Sequence, residues 1–253
     1  MKTINKIIMA IVLMASFASC SNNKEPQVVS TEEYENILGK QMVKATFDDG
    51  MIMSFQVKSP SEVALFSKEA IPTSGCVTIP SKIISNGNIY QVVEIGSLAF
   101  QGCESMTSVT IPNSVTTIGN NAFIDCRGLT SVTIPKEVAS VGNGIFRDCT
   151  GLTSVIIEKG VTEIWESAFS GCTGLTSVSI PDGVTTIGER AFVGCTGLTS
   201  ISIPNSVTSI GERAFKDCSG LTKVIIQNPN LQLNYEEVFP GCVQLQSTNV
   251  IKE

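Results

Sequence analysis

Seven Phe-x-x-Cys units recur along the chain. The first six phenylalanines, Phe100, Phe123, Phe146, Phe169, Phe192 and Phe215, are 23 residues apart, and Phe239 follows after 24. The cysteines keep step as Cys103, Cys126, Cys149, Cys172, Cys195, Cys218 and Cys242. A fixed period of this length predicts a solenoid, because a unit so short cannot bury its own apolar face and must stack on its neighbours.

The unit from Phe169 to Ala191 carries apolar residues at Phe169, Cys172, Leu175, Val178, Ile180, Val184, Ile187 and Ala191. Its Leu-x-x-Val-x-Ile segment has the spacing of a leucine-rich-repeat core. Val178 and Ile180 stand two apart, as on one face of a strand. Pro181 lacks a donor and ends that strand, and Gly188 permits a second bend. Glu189 to Phe192 is expected to form a short helical or 3₁₀ turn before the next rung. The fold class expected is a parallel β-strand ladder with such turns, preceded by an N-terminal β cap.

These residues resemble the BspA-like leucine-rich repeats of bacterial surface proteins, whose units run roughly Ala-Phe-x-x-Cys-x-x-Leu-x-x-Val-x-Ile-Pro-x-x-Val-x-x-Ile-Gly. The match covers about residues 76–245, and the rungs from Phe100, Phe123, Phe169 and Phe192 follow it almost letter for letter. It departs at Trp165, which replaces the glycine, at Ile145, which replaces the alanine, and at Gln227-Asn228-Pro229-Asn230-Leu231. The last departure reads as a terminal rung adapting to a cap. The resemblance implies an exported or surface-attached protein; some such relatives adhere to host proteins.

At the N-terminus, Lys2 and Lys6 precede a short apolar run, Ile7 to Phe17, followed by Phe17-Ala18-Ser19-Cys20. The run is too short for a transmembrane helix and reads as a signal peptide. Small residues before a cysteine resemble a bacterial lipobox, which implies cleavage before Cys20 and acylation of its thiol. An ordinary signal peptide cut near Ala18 is the alternative. With two or more acyl chains the anchor is stable, and the expected location is the outer membrane, at the cell surface. The formal charge is −6 and no basic stripe exists, so nucleic acid is not an expected partner.

The organisation follows: a lipoprotein signal peptide at 1–19, a polar tether at 20–43, a β cap merging into a modified first rung at 44–99, the repeats at 100–227, and the last rung with a C-terminal cap at 228–253. Within the first cap, Asp48-Asp49-Gly50 between alternating runs marks a hairpin. Val63–Phe66 reads as a strand, Cys76-Val77-Thr78-Ile79-Pro80 as the strand of the first rung, and Ile84 to Gln91, with Asn86-Gly87, as an insertion.

The cysteine ladder invites disulfides, which an exported protein permits. Equivalent residues on adjacent rungs lie about 4.8 Å apart with parallel side chains, whereas a bridge needs closer, crossed Cβ vectors. Buried free thiols are therefore expected at all eight cysteines after Cys20. There is no histidine and no Cys-x-x-Cys pair, so no metal ligand set is expected. The same lack of histidine removes Ser-His and Cys-His nucleophiles, and no Gly-x-Ser-x-Gly elbow occurs. No enzymatic activity and no cofactor are expected. Glu166, Glu189 and Glu212 recur at the outer bend as a solvated face.

The outward positions of the strands are Ser108 and Thr110, Ser131 and Thr133, Ser154 and Ile156, Ser177 and Ser179, Ser200 and Ser202, and Lys223 and Ile225. Short hydroxyls suit an exposed strand between close neighbours; they also make a flat surface that a protein or glycan can approach. Ile156, Lys223 and Ile225 break the uniformity and are the favoured anchors. Trp165, the only tryptophan, stands at a bend and is a further candidate, because tryptophan is enriched where binding energy concentrates; packing against neighbouring rungs is the alternative. The expected function is a surface-displayed binding or adhesion module, or alternatively a spacer that holds no specific ligand.

Overall fold

The structure is a computed structural model that describes residues 26–36, 38–70, 75–246 and 249–252. It is a parallel β-solenoid of about seven turns, entered through a mixed, mainly antiparallel sheet.

That sheet begins with β1 (Val28–Glu35), β2 (Gln41–Phe47), β3 (Ile52–Ser59) and β4 (Glu62–Ala70), each antiparallel to the one before. β2 and β3 are joined at Asp48-Asp49-Gly50, where Gly50 takes φ 83° and the Met51 amide donates to Asp49 Oδ1 at 2.9 Å. The predicted hairpin is thus present. The sheet continues through β7 (Asn88–Ile95), parallel to β4, and ends on β6 (Lys82–Ser85), antiparallel to β7. Asn86 (φ 47°) and Gly87 (φ 81°) form the two-residue turn between them, with the left-handed residues that a tight hairpin demands. Ser85, at one end of this sheet, donates to Glu33 Oε1 on β1 at the other end, at 2.7 Å, so the sheet curls until its edges meet.

One expectation is corrected here. Residues 20–43 are not all tether: β1 and the start of β2 lie inside that range. β1 has no apolar alternation for a sequence reading to catch. It is held by its backbone pairing to β2 and by Val28 packing on the core, while Glu32, Glu33 and Glu35 keep its outer side charged, as suits an edge strand. Cys20 and the signal-peptide assignment at 1–19 lie outside the described residues.

From Cys76 onward each turn of the solenoid contributes one strand to the ladder predicted from the Val-x-Ile spacing. β5 (Cys76–Thr78), β8 (Ser108–Thr110), β10 (Ser131–Ile134), β12 (Ser154–Ile157) and β14 (Ser177–Ser179) form one parallel sheet. β16 (Ser200–Ile203), β18 (Lys223–Ile226) and β19 (Val250–Lys252) form a second. Two-residue strands make another side: β9 (Thr117–Ile118) pairs with β7, joining the cap to the rungs, and β11 (Ser140–Val141), β13 (Glu163–Ile164), β15 (Thr186–Ile187) and β17 (Ser209–Ile210) pair in sequence.

The third side holds the Phe-x-x-Cys units, and it is not helical as expected. Two residues per rung take a left-handed backbone, one on each side of the phenylalanine: Asn121 and Asp125, Arg190 and Gly194, Arg213 and Asp217. A left-handed residue breaks a right-handed helix, so the corner is a succession of tight turns. Its amides reach the next rung instead, as in Phe169 to the Ala191 carbonyl at 2.8 Å and Phe192 to that of Ala214 at 2.8 Å. A single helical turn, Tyr235–Val238, appears in the C-terminal cap.

Inside, the seven phenylalanine rings form one stack, with successive centroids 5.1–5.7 Å apart and planes within 18° of parallel. Tyr235 lies tilted against Phe239 and donates to the Leu245 carbonyl at 2.6 Å, closing the stack at its end. Each cysteine from Cys126 onward donates its thiol hydrogen to the carbonyl of the phenylalanine on the preceding rung, at 3.0–3.2 Å. A small apolar residue with one weak donor is what this position uses. Seven cysteines are free and buried, as predicted. The eighth is a correction: Cys76 is disulfide-bonded. It stands where the solenoid starts and lies outside the Phe-x-x-Cys register, so the parallel-vector argument against bridging does not reach it.

Candidate functional site

The strand face is built by register. Ser131 pairs with Ser154 and Ser154 with Ser177, while Thr133 pairs with Ile156 and Ile156 with Ser179. Farther along, Ser200 pairs with Lys223, Ser202 with Ile225, and Ile225 with Ile251. All the predicted strand positions therefore come together in two columns of outward side chains. Ser179, Ser200, Ser202 and Lys223 are exposed; Ser131, Thr133, Ser154, Ile156, Ser177 and Ile225 are half-buried between their neighbours.

Which hydroxyls are free for a ligand follows from the hydrogen bonds. Threonines one residue before the strands are structural. Thr130, Thr153, Thr176 and Thr222 each direct both amide and hydroxyl to the carbonyl of the threonine 23 residues earlier, at 2.9–3.1 Å. Among the described residues, the hydroxyls of Ser154, Ser177, Ser179 and Ser200 have no such partner, and Ser202 only receives the Gln227 amide at 3.4 Å. The small-residue face thus presents unspent donors and acceptors beside the apolar Ile156, Ile225 and Ile251.

The face is two panels, not the single sheet expected from uniform spacing. β14 and β16 belong to different sheets. Thr199, between them, makes neither of the two bonds its equivalents make, and Val178 is only half-buried where Val155 and Ile201 are buried. The opening is confined to this side, since the two-residue strands β13, β15 and β17 and the phenylalanine stack run through without a break.

Ile251 was not among the sequence candidates. It lies on β19, whose Val250 pairs with Val224. Val224 is nine residues after Phe215, whereas Val250 is eleven after Phe239, so the repeat frame points two residues short of the strand. The Val250-Ile251 pair itself was the only signal.

Trp165 is not on the strand face. It follows β13 on the other side of the solenoid, where its indole N–H donates to Glu163 Oε2 at 2.7 Å. The other glycines at this bend are explained by close approach. A Cβ on Gly119, Gly188 or Gly211 would come within 2.4–2.6 Å of the preceding rung's backbone. At Gly142 the nearest atom is 3.1 Å away, so the rungs are less tightly pressed just before Trp165.

Burial pushes the Cys195 thiol up to about 12 and Cys172 well above the ordinary thiol value, which holds these two back from the thiolate, the reactive form. Among the described residues no cluster of three His, Cys, Asp or Glu is arranged to hold a metal, and no helix is long and apolar enough to cross a membrane.

Solved structures of bacterial leucine-rich repeat proteins are similar to this chain. A leucine-rich repeat protein of Bacteroides ovatus is 24% identical, with 78% of this chain and 68% of that one covered at a TM-score of 0.51. The leucine-rich repeat protein of T. pallidum is 23% identical over 89% of this chain and 92% of its own, at 0.49. A leucine-rich cell surface protein of Faecalibacterium prausnitzii is 21% identical over 86% and 82%, at 0.33. No curated protein matches. The BspA type leucine rich repeat region matches in six copies across residues 74–179 and 162–253. With that match spanning most of the chain, the protein belongs to the BspA-type leucine-rich repeat family.

Proposed function

We propose that this chain is a binding module displayed at the cell surface, held to the outer membrane by acylation of Cys20, and that it takes a protein or glycan ligand on its strand face. The observation that carries this reading is the contrast between hydroxyls. Those of Thr130, Thr153, Thr176 and Thr222 are consumed by the ladder, whereas the serines beside Ile156 and Ile225 have no such bond. An interface of useful affinity needs on the order of 800 Å² per partner, which several rungs supply together and one bend does not. Catalysis has no part in the proposal, since the chain has no histidine and its ladder thiols are buried.

The test immobilises the domain beginning at Ser21 and captures surface proteins and glycans. Whatever binds is then measured against two variants, one with Ile156→Glu and Ser179→Glu, the other with Glu189→Lys and Glu212→Lys. Loss in the first alone supports the strand face; loss in the second alone moves the site to the bend. No saturable ligand for the parent domain favours a spacer role, to which the uniform serines of β14 and β16 are equally suited.

The anchor has its own test. Metabolic labelling with a fatty-acid analogue should tag the mature protein, and Cys20→Ser should abolish both the label and the membrane attachment. Full labelling and attachment in that variant would overturn the anchor.

A further inference from the structure

The bend side carries a second surface that the strand-face reading does not use. Trp165 is 41% exposed, although it occupies the position where other rungs keep glycine. Its equivalents on the adjacent rungs are Gly142 and Gly188. In a solenoid the side chains that cover a residue are its equivalents one rung before and after, and here both are missing. The ring is also held in place, because its N–H is bound to Glu163 Oε2 at 2.7 Å.

Charge decides what such a surface accepts. Glu163 and Glu166 flank the tryptophan in sequence, and Glu163 lies in register between Ser140 and Thr186, neither of which neutralises it. Arg190 is the nearby cation, and it pairs with both Glu189 and, at 3.9 Å, Glu166. The longer of these pairs is solvent-exposed, so Glu166 is open to a second cation. An indole face attracts a cation through its quadrupole, and two carboxylates beside it add Coulombic attraction while repelling anions.

We infer that Trp165, Glu163 and Glu166 form a cation-binding subsite that receives a lysine or arginine side chain from a basic segment of a partner protein. The indole faces the cation, Glu166 pairs with it at the rim, and Glu163 fixes the ring while adding charge. The subsite is separate from the strand face and stands whether or not that face binds anything.

Because Trp165 is the only tryptophan, its fluorescence reports this position alone. The domain beginning at Ser21 is titrated with a short peptide rich in lysine and arginine, with its glutamate-rich counterpart, and with a neutral oligosaccharide. The basic peptide alone should change the emission saturably, and more weakly as salt rises. Glu163→Gln with Glu166→Gln keeps an acceptor for the indole N–H and should weaken binding severalfold. Trp165→Leu, followed by calorimetry, should weaken it about two- to fivefold. No emission change with the basic peptide, or an equal change with the acidic peptide, would overturn the inference. So would a response to the oligosaccharide alone, which would make the tryptophan a sugar platform.

Discussion

Replacing Phe169 with alanine tests the phenylalanine stack at its centre. The ring is fully buried and sits between Phe146, at 5.7 Å, and Phe192, at 5.3 Å. Truncation removes both stacking contacts and opens a cavity that the neighbours cannot fill, because Leu175, Cys172 and Ala191 around the rung are themselves locked by hydrogen-bonded turns. Buried Phe→Ala changes cost about 3–5 kcal/mol. Stacked pairs contribute roughly 0.5–1.5 kcal/mol beyond buried area, so two lost pairs place Phe169→Ala toward the upper end. At a urea slope of about 3 kcal/mol/M, a loss of about 4 kcal/mol lowers the midpoint by about 1.3 M. Glu189→Ala, on the exposed bend, should move it by less than about 0.2 M. Urea melts followed by far-ultraviolet circular dichroism compare the two directly. Similar midpoints would refute the reasoning, since the inward and outward assignment would then carry no energetic weight.

The threonine ladder gives a paired test. Thr153→Val removes a hydroxyl bonded to the Thr130 carbonyl at 3.0 Å and should cost about 0.5–1.5 kcal/mol. Thr199→Val, at the opening between β14 and β16, should cost less than about 0.5 kcal/mol, and equal losses in denaturant melts would show that the opening is closed in solution. Gly188→Ala should destabilise by about 1–3 kcal/mol, because its Cβ would meet the Trp165 carbonyl carbon at 2.6 Å and the Glu166 amide at 2.7 Å; a neutral melt would show that the bend yields. In the cap, the Lys44 ammonium 2.6 Å from Glu69 holds that carboxyl below its usual 4.5. Its contribution is therefore full above about pH 4.5 and lost as pH falls through the lower folded value. Lys44→Met should flatten the acid side of the stability profile there, by a small amount because the pair is part-exposed, and an unchanged profile would exclude the pair as its source.

The solenoid itself was legible in the residues. A 23-residue repeat of Phe, Cys, Leu, Val and Ile leaves one packing solution, because each apolar position must meet its own equivalent on the next rung. The structure realises this down to the free thiols of Cys103 through Cys242 and the outward columns from Ser131 to Ile225. Periodicity supplies that information many times over, so a single departure such as Trp165 does not obscure it.

What tertiary structure alone decided lies where the period lapses or where conformation matters more than residue type. β1 is a strand because β2 offers it an edge to pair with, and nothing in its own alternation says so. The corner of each rung is a pair of left-handed residues, not a helical turn, since its amides bond to the next rung and not within the segment. β19 lies two residues beyond the repeat frame and brings Ile251 beside Ile225. Trp165 belongs to the opposite side from the serine columns because the turn at 158–162 separates β12 from β13. The opening between β14 and β16 has no trace in the letters: Leu-Thr-Ser-Val-Ser-Ile and Leu-Thr-Ser-Ile-Ser-Ile differ by one methylene. The way two stacked rungs settle is decided by the sum of their contacts on all three sides, and that sum is a property of the assembled solenoid.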